Sequence, residues 1–170
     1  ITYRLPVASA QVKSAIMLAG LFAEGETTII EDKPTRDHTE NMMRAFGAEV
    51  CVSKTDEGYD AIALEGGQSL EGCAIDVPAD PSSAAFPCAA ALLVEGSEVK
   101  LPRIGLNPRR AGIYETLREM GADITFQHER EEGGEPVADL LVKGAGALKG
   151  IDVPPGRVPS MIDEFPVLAM

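Results

Sequence analysis

The chain repeats itself, and that repetition constrains its fold more than any other feature. Ser9-Ala10-Gln11 opens an apolar run that closes with Ala23-Glu24-Gly25-Glu26-Thr27. Ser82-Ser83-Ala84 opens another that closes with Val94-Glu95-Gly96-Ser97-Glu98-Val99. A polar or basic segment follows each run, and then a matching ending: Arg44-Ala45-Phe46-Gly47-Ala48-Glu49-Val50 and Arg118-Glu119-Met120-Gly121-Ala122-Asp123-Ile124. Glu24 and Glu95 stand 71 residues apart, and Gly47 and Gly121 stand 74 apart. Ile75-Asp76-Val77-Pro78 returns as Ile151-Asp152-Val153-Pro154, and a third copy opens at Pro159-Ser160-Met161.

Each copy alternates between two periodicities. Val12, Ile16, Ala19 and Ala23 recur near a helical period, with Ser9 as N-cap and Gly25 as stop. Thr27 to Ile30 is short and β-branched, as a strand is. Pro34-Thr35-Arg36-Asp37 signals a turn and the start of a second helix, which Gly47 ends. Glu49–Ser53 and Tyr59–Leu64 flank Asp56-Glu57-Gly58 as a hairpin. The second copy predicts a helix over Ala84–Val94, a strand over Glu98–Leu101 and a helix over Arg110–Met120. Strands over Ile124–His128 and Asp139–Val142 follow, separated by a charged loop from Glu129 to Pro136. With a strand expected before each first helix, the chain reads as α/β, built from repeated βαβαββ units of about 70 residues. Asp76-Val77-Pro78-Ala79-Asp80-Pro81 is the expected seam between domains.

Composition narrows the function. At 170 residues the chain suffices for one ordinary domain or two small ones. It has 45% hydrophobic and 25% charged residues, as soluble globular proteins do. No apolar stretch approaches the ~20 residues of a membrane span. Ile1-Thr2-Tyr3-Arg4 lacks a Met or a signal pattern and reads as an internal starting point. Cys51, Cys73 and Cys88 lack metal or disulfide spacing, so they are expected as small buried hydrophobes in a reducing cytoplasm. No metal site is expected. A net charge of -12 argues against nucleic acid as a partner. It does not argue against a small anion, which responds to local donors.

Several residues could supply such donors. Ser9, Ala10 and Gln11 stand where a helix begins, and its amides either receive a cap or receive an anion. Lys13 and Ser14 either extend that place or are solvated. Thr35 to Glu40 is read as the first turn of the second helix. Arg36 is its one residue that the helix dipole does not favour, and it fits either a phosphate or an ion pair with Asp37 or Glu40. Asp163 and Glu164 are a general base candidate or helix caps. Arg109 and Arg110 could meet an anion or water, and His128 is expected at an exposed strand end. The repeat places Ser9, Ser82 and Ser160 at equivalent helix starts, which together could form an anion-attracting cleft.

Leu5-Pro6-Val7-Ala8-Ser9-Ala10-Gln11-Val12-Lys13-Ser14, followed by Thr35-Arg36-Asp37-His38-Thr39-Glu40, closely resembles the 5-enolpyruvylshikimate-3-phosphate (EPSP) synthases. Asp80-Pro81-Ser82-Ser83-Ala84-Ala85-Phe86-Pro87 and Pro159-Ser160-Met161-Ile162-Asp163-Glu164-Phe165-Pro166 resemble the bacterial class II branch of that family. The resemblance implies the enolpyruvyl transferase fold, an inside-out α/β barrel of two domains with three βαβαββ units each, here incomplete. It implies that residues 1–77 are the last part of the first domain and 78–170 the beginning of the second. The implied reaction moves the enolpyruvyl group of phosphoenolpyruvate to the 5-hydroxyl of shikimate 3-phosphate and releases phosphate, with no metal or cofactor.

By the same resemblance, Ser9, Ala10 and Gln11 contact shikimate 3-phosphate, with Gln11 also reaching towards phosphoenolpyruvate. Arg36 binds phosphate. Asp163 binds the substrate hydroxyls and acts as base. Lys13 and Glu164 match the family without an assigned role. The family's N-terminal lysine-serine-arginine site and its later lysine, glutamate and arginines are missing, so the chain is expected to be a fragment without useful turnover. The whole enzyme is expected to be a cytoplasmic monomer that binds neither nucleic acid nor membrane. The related UDP-N-acetylglucosamine enolpyruvyl transferases share the fold but use a loop cysteine, which Cys51, Cys73 and Cys88 do not match. A non-catalytic repeat module that binds anions is the alternative from another class.

Overall fold

A computed structural model of the chain describes residues 1–144 and 146–170. They form two compact units, Ile1–Ile75 and Asp76–Met170. Residues 68–78 carry no regular structure.

The first unit runs β1 (Thr2–Arg4), α1 (Ala10–Gly20), β2 (Glu26–Glu31), α2 (His38–Ala45), β3 (Val50–Lys54) and β4 (Asp60–Glu65). Its sheet has the order β1-β2-β4-β3, with β1 parallel to β2 and the other pairs antiparallel. Period-two alternation is clean on β2 and β4, where Ile29, Ile62 and Leu64 point into a core with Met17, Leu21 and Met43. The turn between β3 and β4 closes at Gly58, whose φ of 85° suits a residue without a side chain.

The second unit runs α3 (Pro81–Leu93), β5 (Glu98–Gly105), α4 (Gly112–Glu119), β6 (Asp123–Glu132), β7 (Glu135–Lys143) and a terminal α5 (Phe165–Ala169). Two 3-10 turns, Val158–Ser160 and Ile162–Glu164, precede α5. The sheet order is β5-β7-β6. Ala79 adds a single parallel bridge to Ile104 on β5. That bridge occupies the place of β1, so both units share one topology, and the repeat in the sequence is a repeat in space.

Particular residues differ from the sequence reading. The buried stripe of α1 is Lys13, Met17 and Gly20, while Val12 is 40% exposed and Ala19 and Ala23 are exposed. α1 is apolar nearly all round, so its sequence carries no clear phase. α1 also ends at Gly20, well before Gly25. α2 begins at His38, which leaves Arg36 on the preceding loop rather than in the first turn. The charged loop expected from Glu129 to Pro136 is a hairpin of long strands closed by Gly133 and Gly134, both at positive φ. Its charges pair across the surface, Arg130 Nε with Glu132 at 2.6 Å and Arg103 with Glu132 at 2.9 Å. Cys88 is buried, its thiol pushed up to about 12 by burial, but Cys51 and Cys73 are exposed.

Candidate active site

The first unit gathers polar groups where its parallel strands end. The chain leaves β1 and enters α1 at Ser9, and leaves β2 to reach α2 through Arg36. Both helix starts therefore follow the C-terminal ends of adjacent parallel strands, the end at which open α/β sheets receive ligands. Ser9 caps α1: its hydroxyl oxygen accepts the Val12 amide at 3.3 Å, and the hydroxyl lies 3.4 Å from Gln11 Oε1. No acid stands in the first turn of α1. The positive end of its dipole is thus left to whatever anion arrives. Gln11 is exposed, while Ser9, Ala10 and Arg36 are half-buried.

Behind these residues lies a charged contact that the sequence did not reveal. Lys13 is fully buried, not solvated, and its Nζ reaches Glu31 Oε2 at 3.0 Å and Glu40 Oε1 at 2.7 Å. The Thr35 hydroxyl donates to the other oxygen of Glu31. Ser14 and Thr39 share a hydroxyl contact of 2.6 Å between α1 and α2. The one available signal was spacing, since Lys13 is one turn before Met17 on the buried stripe.

In the second unit the helix starts are built differently. Asp80, not Ser82, caps α3 by accepting the Ser83 amide at 2.8 Å. Arg110 reaches both Asp80 Oδ1 and Ser82 Oγ at 3.0 Å. Burial pushes the Asp80 carboxyl up, but the Ser83 hydroxyl and amide and the Arg110 charge outweigh it and hold it below the usual range. Ser160 lies in a 3-10 turn and donates to the Arg157 carbonyl at 2.7 Å. Ser9, Ser82 and Ser160 are therefore not equivalent helix starts. Only the first is an N-cap, and a carboxylate already occupies the start of α3.

Asp163 belongs to the second unit, exposed on the turn Ile162–Glu164 between buried Met161 and buried Glu164. Arg157, which sequence reasoning passed over, anchors the segment that leads to it. The guanidinium donates to both carboxylate oxygens of Glu119 at 2.7 Å and to Glu115 at 2.8 Å. Hydrogen bonding from Arg157 holds the Glu119 carboxyl below its ordinary value. Thr116 adds a contact to Met161 Sδ at 3.2 Å. A Cβ on Gly112 would fall 2.2 Å from Ser160 Oγ and 3.3 Å from Ser160 Cβ, so the Val158–Ser160 turn packs closely against the start of α4. His128 sits at a bulge within β6, not at a strand end, and no cluster of metal-ligating side chains occurs among the described residues.

Two βαβαββ-type units with helix starts gathered at the strand ends define a partial enolpyruvyl transferase fold. Solved structures agree: EPSP synthase from Acinetobacter baumannii superposes with a TM-score of 0.90 at 55% identity, over 99% of this chain and 37% of that one. The family model for EPSP synthase (3-phosphoshikimate 1-carboxyvinyltransferase) matches residues 1–170, and the chain belongs to that family. It is 64% identical over 170 residues to the 3-phosphoshikimate 1-carboxyvinyltransferases of Paramagnetospirillum magneticum and Parvibaculum lavamentivorans. It is 60% identical to that of Gluconobacter oxydans. These matches take in all of this chain and 38% of each relative. No helix among the described residues is long and apolar enough to cross a membrane.

Proposed function

We propose that this chain supplies part of the substrate cleft of a 3-phosphoshikimate 1-carboxyvinyltransferase. Residues 1–77 would close its first domain and residues 78–170 would open its second. The observation that carries the reading is the start of α1, a dipole end with a serine cap, an exposed carboxamide and no acid, on the same end of the unit as Arg36. In this reading Ser9, Ala10, Gln11 and Arg36 receive shikimate 3-phosphate through its phosphate and hydroxyls, and Gln11 also reaches phosphoenolpyruvate. The exposed thiols of Cys51 and Cys73 suit a reducing compartment, in keeping with a cytoplasmic enzyme.

The chemistry assigns one further role. The 5-hydroxyl of shikimate 3-phosphate attacks C2 of phosphoenolpyruvate while C3 takes a proton, and the tetrahedral adduct then loses phosphate together with a proton from C3, which restores the double bond. A base must take the hydroxyl proton, and Asp163, exposed on a turn anchored from behind, is given that role. The test is phosphate release by the chain completed to its relatives' length with the flanking segments of the Paramagnetospirillum magneticum protein. Asp163→Ala should lower kcat at least about a hundredfold with the fold unchanged. Full turnover in that variant removes Asp163 from the role.

A further inference from the structure

The two repeats solve one packing problem with different chemistry. Residues 71 positions apart correspond on the first helices and residues 74 apart on the second helices, so Lys13 corresponds to Ala84 and Glu40 to Tyr114. Where the first unit joins its helices through Lys13 and Glu40, the second uses the buried Tyr114 ring, whose hydroxyl donates to the Pro81 carbonyl at 2.7 Å. The fold therefore closes here without charges. Buried ion networks contribute little net stability against such packing, because desolvation offsets most of their attraction. This one is not even fully satisfied: two carboxylates converge on one ammonium, and Glu40 Oε2 is buried with no hydrogen-bond partner.

What the network does hold is geometry. Lys13 lies one turn beyond the Ser9 cap, and its amide donates to the Ser9 carbonyl at 3.1 Å. Glu31 ends β2 and accepts from Thr35, the neighbour of Arg36. Glu40 lies in the first turn of α2, four residues beyond Arg36. One ammonium thus ties α1, β2 and α2 together directly beneath the Ser9–Gln11 start and the Arg36 loop.

We propose that Lys13, Glu31 and Glu40 form a buried positioning unit that sets the spacing between the start of α1 and Arg36, and so the fit of the substrate phosphate. The inference rests on the reading of Ser9, Gln11 and Arg36 as the shikimate-3-phosphate site, and it assigns the three residues no contact with substrate. It predicts a loss of affinity that passes through Arg36, because a misplaced donor weakens ground state and transition state alike.

The test uses the completed chain, with steady-state kinetics in shikimate 3-phosphate and thermal melting of each variant. Glu40→Leu leaves Lys13 and Glu31 as a balanced pair, so no buried charge is stranded. It should raise the KM for shikimate 3-phosphate about tenfold with a much smaller change in kcat. Glu40→Gln, which still offers Lys13 an oxygen, should recover most of that loss. In an Arg36→Ala background, Glu40→Leu should add little. A folded Glu40→Leu with an unchanged KM overturns the proposal, as does an effect that persists undiminished on Arg36→Ala. If Arg36→Ala itself leaves the KM unchanged, the substrate-site reading falls and this proposal with it. If Arg36→Ala raises the KM and Glu40→Leu does not, only the positioning unit falls. Should Glu40→Leu not fold, the neutral triple variant Lys13→Met, Glu31→Gln, Glu40→Leu replaces it. Unfolding of both assigns the network to folding and overturns the proposal.

Discussion

At Asp139 a single carboxylate stands opposite two interruptions of a β-ladder. On one side of β7, Pro102 and Arg103 of β5 face it as two residues against one; on the other, His128 and Glu129 of β6 face its neighbour Ala138. Arg103 and His128 take φ values of 55° and 51°, which L side chains rarely adopt. Asp139 accepts the Arg103 amide at 3.0 Å and lies 3.0 Å from Lys100 Nζ and 3.3 Å from His128 Nδ1. These hydrogen bonds, that of the Arg103 amide first, hold its carboxyl far below its ordinary value. A depressed carboxylate contributes stability that is complete above its unfolded pKa of about 4 and is lost as pH falls below it. Asp139→Ala should lower the melting temperature of the second unit at neutral pH. It should also flatten the acid limb of a stability-against-pH curve measured by urea unfolding, and a variant with the parent's acid limb would refute this. Nothing in the sequence marks Asp139, because these partners are 11 to 39 residues away. Lys13 escaped for a related reason: on a helix apolar nearly all round, one charged residue does not say whether it points inward.

Among elements, the helix and strand order was legible because each piece carries its own period or its own stop, as Gly47 and Gly121 do at φ values of 87° and 96°. The extension of β6 and β7 beyond the predicted strands was not, because Glu129 to Glu132 are all charged, lie on a two-stranded extension and show no apolar alternation. Another pair of glycines shows the repeat at the level of packing. A Cβ on Gly66 would lie 2.0 Å from the Ala23 carbonyl oxygen, and one on Gly144 would lie 1.9 Å from that of Val94. Each last strand thus passes under the end of its unit's first helix with backbone against backbone. Gly144→Ala should cost about 1–3 kcal/mol of stability, since the obstacle is backbone and not a flexible side chain. Chemical denaturation checks it, and a variant as stable as the parent would show that the helix end yields.

For the molecule as a whole, the order of motifs was enough to place the chain in its family, while the positions of its catalytic candidates were legible only through that resemblance. Ser9, Arg36 and Asp163 are unremarkable as isolated residues; a serine cap, a loop arginine and an exposed aspartate occur in most proteins. Two cores, one around Met17 and Ile29 and one around Tyr114 and Leu140, are separated by an exposed stretch from Glu71 to Val77. A glutamate-specific protease under native conditions should therefore cut first after Glu71 and leave two resistant pieces. Early cutting inside β6 instead would show that the charged hairpin opens more readily. The ring that stands in for Glu40 has one more consequence. The chain has no tryptophan and three tyrosines, and of these Tyr3 and Tyr59 lie in the first unit with partial access to water. Tyr114 alone is sealed from solvent, so the blue shift of tyrosine absorption on unfolding is a native optical reporter for the second unit, with no label required.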